Sequence, residues 1–131
     1  MSAFLKIKKR KDFVRAAKIG EKVITTSVII QAAQSLSESP VAPKFGFTTT
    51  KRIGKAHVRN RARRRMRAVI REFASEGLNN TEYVLIGRHN TADCDFEILR
   101  RDIAYGLHKL NNLLSREKNE TNSTETPDLA D

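Results

Sequence analysis

"HVRNRARRRMRAVIRE", residues 57–72, holds seven arginines and a single acid. At the helical period of about 100° per residue, Val58, Ala62, Met66, Val69, Ile70 and Phe73 fall on one side. Arg59, Arg63, Arg67 and Arg71 form a stripe beside them, while Arg61, Arg64 and Arg65 spread charge over the remaining face. The spacing predicts an amphipathic helix with one core side and one basic side. Like charges four residues apart repel, and residues 51–71 contain ten basic side chains and no acid. A solvated charged face normally mixes signs. The pattern therefore implies that the compensating negative charge arrives with a partner.

Working outward, "KFGFTTTK" (44–51) puts Phe45, Phe47 and Thr49 on one face and reads as a strand leading into the arginine helix. Upstream, "KVITTSVIIQAA" (22–33) is rich in β-branched residues and reads as a strand, and "QSLSESPVAP" (34–43) as a loop. "KKRKDFVRAAKIG" (8–20) predicts a short helix with Phe13, Val14 and Ala17 on one side, closed at Gly20. Downstream, "TEYVLIGRH" (81–89) is a short apolar run suited to a buried strand. Phe96, Leu99, Ile103, Leu107, Leu110 and Leu114 recur at intervals of three or four and predict a long helix. The order helix, two or three strands, helix, strand, helix predicts an α+β fold: a two-layer sandwich of one small mixed sheet with helices (αβββαβα). One domain over residues 1–117 fits the length of 131 residues. Residues 118–131 have little to bury and are expected to form an acidic, disordered tail.

The net charge of +10 understates the basicity of the folded part: residues 1–116 carry 24 basic and 10 acidic side chains, and the rest one and five. Such a field suits polyphosphate, which exchanges condensed counterions for Lys and Arg. No apolar run approaches the roughly 20 residues of a membrane span. A single cysteine, Cys94, excludes an internal disulfide and a cysteine-rich zinc site. The N-terminal "MSAFLKIKKRKDF" lacks the apolar stretch of a secretory signal, so a reduced, cytoplasmic protein is expected.

"KFGFTTTKRIGKAHVRNRARRRMRAVIRE" (44–72) resembles the signature of the bacterial ribonuclease P protein component. Lys51, Arg52 and Gly54 are followed at fixed spacing by Arg59-Asn60-Arg61, basic residues at 63, 64 and 67, and Arg71-Glu72. Weaker similarity runs from "KRKDFVRAAKIG" to about Leu114. The resemblance implies a protein bound to a large catalytic RNA that removes the 5′ leader of precursor tRNA. The RNA supplies the active site and requires Mg²⁺, so no catalytic residue and no fixed metal site are expected on the protein. Also implied is the fold of the second domain of ribosomal protein S5, with a left-handed βαβ crossover around the Arg-Asn-Arg helix, an exception to the usual hand.

RNA contacts are implied for Lys51, Arg52, Lys55, Arg59, Asn60, Arg61, Arg63, Arg64, Arg65, Arg67 and Arg71. Arginine forks pair with phosphate, and RNA helices are read mainly by shape, phosphate and 2′-hydroxyl. The resemblance places the leader in a cleft between the sheet and the first helix, at Phe13, Ala17, Lys18, Gln31, Lys51 and Arg52. Periodicity alone leaves Phe13 open between core packing and base stacking; the resemblance favours stacking. Ala17 and Gln31 stand where many members carry aromatics, which implies a cleft that leans on hydrogen bonds and cations. Gly54 is expected at a positive φ or a close backbone approach.

Three other classes compete. An enzyme in its own right would draw on His57, His89, His108, Asp93 and Asp95, which form no fixed motif. Against a DNA-binding helix in a major groove, the chain has no helix-turn-helix spacing and the arginine helix is expected to pack on a sheet through Val58 to Phe73, so no DNA partner is expected. A ribosomal or other structural RNA-binding protein shares the same electrostatics.

Overall fold

The apolar stripe of residues 58–73 is buried as its spacing predicts, with Ala62, Met66, Val69 and Ile70 fully enclosed. The computed structural model describes residues 4–34 and 39–125, with side chains through residue 115. In chain order these form β1 (Leu5–Lys6), α1 (Arg10–Ile19), β2 (Glu21–Ile24), β3 (Val28–Gln34), β4 (Lys44–Thr48), α2 (Ala56–Phe73), β5 (Thr81–Gly87) and α3 (Phe96–Glu125). Single 3-10 turns at Lys51–Ile53 and Ala74–Glu76 flank α2.

The five strands form one mixed sheet in the order β1-β4-β5-β3-β2. β4 runs parallel to both β1 and β5, whereas β3 is antiparallel to β5 and to β2. Parallel neighbours need a crossover, and α2 supplies it between β4 and β5. β5 is central and buried along almost its whole length, which explains its unbroken apolar run.

Strand alternation divides the side chains between two faces. Val23, Val28, Ile30, Ala32, Phe45, Tyr83 and Leu85 point to the face covered by α2 and α3, where they meet Met66, Ile70, Leu99, Ile103, Leu107 and Leu110. At its centre the Phe45 and Tyr83 rings stack at 5.0 Å. Among the described residues the opposite face holds only α1, whose Ala16 packs with Ile7, Ala33 and Val84. Much of that face is left open.

The structure corrects three expectations. The β-branched run 22–33 is two strands rather than one, folded back at Thr25–Ser27. Thr25 Oγ1 takes the Val28 N–H at 3.1 Å and donates to the Val28 carbonyl at 2.6 Å, while Ser27 Oγ donates to buried Asp102 at 2.7 Å. Side-chain hydrogen bonds to local backbone thus overrode β-propensity. β1 was not foreseen, since two residues carry no period. The third helix continues eleven residues past Leu114, to Glu125, into the segment expected as a tail. No Gly or Pro interrupts residues 107–125. Residues 35–38 of the expected loop and 126–131 of the expected tail lie outside the described residues.

Candidate nucleic-acid interface

β4 ends at Thr48, and the chain turns through Lys51–Ile53 to Gly54 before α2 begins. Gly54 has φ 143°, where side chains are strained, and a Cβ there would stand 3.0 Å from Val58. The positive φ foreseen for this glycine is present. The turn leaves Lys51, Arg52 and Lys55 exposed at the N-terminus of α2. That first turn has no acid and no side-chain cap, so its N–H groups add to the positive potential.

The arginines of α2 divide by what they touch. Arg64 is exposed with no protein partner among the described residues. Arg61 is exposed and uses only Nε, which donates to the Ala92 carbonyl at 2.7 Å. Arg59 donates to the Gly54 carbonyl at 2.9 Å, and Arg63 to Thr49 Oγ1 at 2.6 Å and to Asn60 Oδ1. Asn60, itself exposed, therefore orients a neighbouring arginine. Arg65 is half-buried: it donates to the carbonyls of Thr91, at 2.8 Å, and Cys94, and stands 5.6 Å over the Phe96 ring. Arg67 lies 5.6 Å over Phe47, with its Nε buried. Arg71 is exposed near the helix end. Glu72, the one acid of α2, is held by Arg100 of α3 at 2.7 Å.

A second surface lies on the open sheet face. A groove of about 500 Å³ there is lined by Lys8, Arg10, Phe13, Ala17, Gln31, Phe47, Thr48, Val84 and Ile86. The Phe13 ring rests on Gly46 of β4, where a Cβ would come within 2.5 Å of it. One part of the ring packs on the sheet and the rest faces the groove. The structure brings Phe13, Ala17 and Gln31 together. Lys18, Lys51 and Arg52 are exposed and do not line the groove, although β4 leads from Thr48 directly to the latter two. Lys8 and Arg10 were missed because the basic run at 6–11 has no periodicity to orient it. A separate cavity of about 390 Å³, between Phe4, Pro43, Phe45 and Gly77, has no charged lining residue.

The residues of the competing enzymatic reading sit elsewhere. His57, His89, His108 and Asp93 are exposed. Asp95 Oδ1 accepts the Glu97 N–H at 3.0 Å, as a cap of α3. Among the described residues no helix is long and apolar enough to cross a membrane.

A family model described as Ribonuclease P matches residues 1–111. The ribonuclease P protein component of Paramagnetospirillum magneticum is 34% identical over 128 residues, covering 95% of this chain and 92% of that protein. That of Gluconacetobacter diazotrophicus is 39% identical over 105 residues, 79% of this chain and 89% of that one. An RNase P protein structure from Staphylococcus aureus matches with a TM-score of 0.68 at 23% identity, over 82% of this chain and 94% of that chain. One from Thermotoga maritima matches with a TM-score of 0.67 at 19% identity, over 79% and 96%. At these identities the structural likeness bears on the fold alone.

Proposed function

The chain belongs to the ribonuclease P protein family, and we propose that it binds the catalytic RNA through α2 and the 5′ leader of precursor tRNA through the groove under α1. The observation that carries this reading is the pair of basic surfaces on opposite faces of one sheet. One is a helix bearing outward arginines, suited to the phosphates of a folded RNA. The other is a groove with one aromatic ring and flanking cations, suited to a single strand. One protein of this shape touches two nucleic acids at once, as a cytoplasmic subunit assisting endonucleolytic tRNA maturation.

Within the α2 surface, Lys51, Arg52, Lys55, Arg61, Arg64 and Arg71 make the phosphate contacts. Arg59, Asn60 and Arg63 keep free N–H groups and contribute beside them. Arg65 and Arg67 shape the surface from beneath. Mg²⁺ belongs to the RNA in this reading. Mg²⁺ takes oxygen ligands, chiefly carboxylate and phosphate, and no carboxylate lines the groove.

Two variants test the division. Arg64→Ala should weaken binding of the catalytic RNA and flatten its salt dependence by roughly one unit of log K per log salt at most. Phe13→Ala should leave that binding unchanged. In the assembled holoenzyme it should cost about 1–3 kcal/mol of affinity for precursors with a leader of several nucleotides, and little for a one-nucleotide leader. Equal losses on both ligands from either variant would contradict two separate surfaces.

A further inference from the structure

The open sheet face extends beyond the groove. Thr48 of β4 pairs with Ile86 of β5, Ile86 with Ile29 of β3, and Ile29 with Ile24 of β2. Directly opposed residues share a face, so these side chains form one row across four strands. They alternate with Val23, Val28, Ile30 and Leu85, which are buried on the other side. The row therefore lies on the open face. Ile86 also lines the groove, Ile29 and Ile86 are half-buried, and Ile24 is 60% exposed at the sheet edge. In the adjacent row Val84 pairs with Gln31 and Gln31 with Lys22, which places a cation beside Ile24.

An isolated exposed isoleucine needs no explanation, but three in cross-strand register, continuous with a groove, make a platform. We infer that the leader's path continues past Phe13 along Ile86, Ile29 and Ile24, with Lys22 taking a phosphate where it leaves the sheet. The inference rests on the groove being the leader site. Charge selects the occupant: Lys8, Arg10 and Lys22 flank this surface, no carboxylate lines the groove, and Glu82 on the same face is buried. A second copy of the chain would bring two faces of the same sign together.

Strand spacing sets the reach. Neighbouring strands lie about 4.8 Å apart, so β4, where Phe13 sits, and β2 are about 14 Å apart. At a stacked rise of about 3.4 Å per nucleotide, that distance holds roughly four nucleotides, and fewer if the strand is extended. Aliphatic side chains offer no donor or acceptor to a base edge. This part of the path should thus register leader length without regard to sequence.

The test uses protein assembled with its catalytic RNA and precursor tRNAs whose leaders lengthen one nucleotide at a time. Ile24→Ser and Lys22→Ala are both at exposed positions. Each should match the wild type on the shortest leaders and bind roughly three- to tenfold more weakly once the leader spans the sheet, whatever its sequence. Ile24→Phe should tighten binding of the same long leaders. If Ile24→Ser equals the wild type at every length while Phe13→Ala still loses long leaders, the row is off the path and the inference is overturned. If Phe13→Ala also has no effect, the groove reading itself fails. A change in oligomeric state from Ile24→Ser, without a leader-length effect, would instead assign the row to self-association.

Discussion

Arg65 stands in the middle of the arginine run, yet the structure makes it a clamp, and Arg65→Ala separates that role from RNA binding. Its guanidinium holds the Thr91 and Cys94 carbonyls and covers Phe96, fixing the 88–95 loop against α2. A hydrogen bond from a charged donor contributes about 1.5–3 kcal/mol net, and an accessible cation–π contact about 0.5–1 kcal/mol. Water will resolvate part of a half-buried site, so the loss should be about 2–4 kcal/mol. For a domain of this size each kcal/mol lowers the melting temperature by about 4 °C, giving a fall of roughly 8–16 °C. Arg65→Lys keeps the charge and loses the fork, so it should fall nearly as far. Arg64→Ala, at an exposed position, should melt within about 0.5 kcal/mol of the wild type. Thermal melts of the three proteins, paired with RNA titrations over a range of salt, check this. An Arg65→Ala protein that melts like the wild type but binds RNA with a flatter salt slope would refute the clamp and return Arg65 to the interface.

Tyr83→Phe should cost about 1–3 kcal/mol in denaturant unfolding, because the phenol accepts the Leu78 N–H at 2.8 Å and donates to Asn111 Oδ1 at 2.6 Å. Burial also pushes that phenol's pKa up to about 12. Burial, with Asp12 nearby, raises the Glu82 carboxyl above its usual 4.5 despite Arg15 at 3.5 Å. A group raised in this way favours the folded state while protonated; that contribution is complete below about 4.5 and is lost as pH rises through the folded value. Glu82→Gln, neutral throughout, should therefore melt above the wild type at pH 7, with the gap closing towards acid; a lower melting temperature at pH 7 would make the Arg15 pairing the larger effect. Ala17→Phe, which places an aromatic in the groove beside Phe13, should tighten long-leader binding, and unchanged affinity would deny that Ala17 faces the leader.

The helices and the central strand were legible because their apolar residues keep a period: Ala62, Met66, Val69 and Ile70 for α2, Leu99 to Leu114 for α3, and the run 81–87 for β5. The turn at Thr25–Ser27 was hidden because threonine reads as strand until its hydroxyl is seen closing the hairpin. The arginines carry one signature in sequence but several roles in space. What distinguishes Arg65 from Arg64 is a pair of backbone carbonyls 26 and 29 residues away, and carbonyls have no side-chain identity. The groove was half legible. Phe13, Ala17 and Gln31 came from family resemblance; Lys8 and Arg10 sit in a basic run with no period to orient it, and the isoleucine row depends on strand register. One overlooked signal was available in "KFGF": a glycine inside a strand marks a close approach, and Gly46 is where Phe13 rests.

In the proposed function this chain serves a catalytic RNA as its protein partner. The direct measurement is cleavage of a precursor tRNA by rigorously RNA-free protein, by the cognate ribonuclease P RNA with Mg²⁺, and by the two together. The protein alone should give no cleavage, and the two together accurate release of the 5′ leader at the mature end, at Mg²⁺ levels where the RNA alone is slow. Metal-dependent cleavage by the RNA-free protein, or an RNA whose cleavage the protein leaves unchanged at every Mg²⁺ concentration, would contradict it.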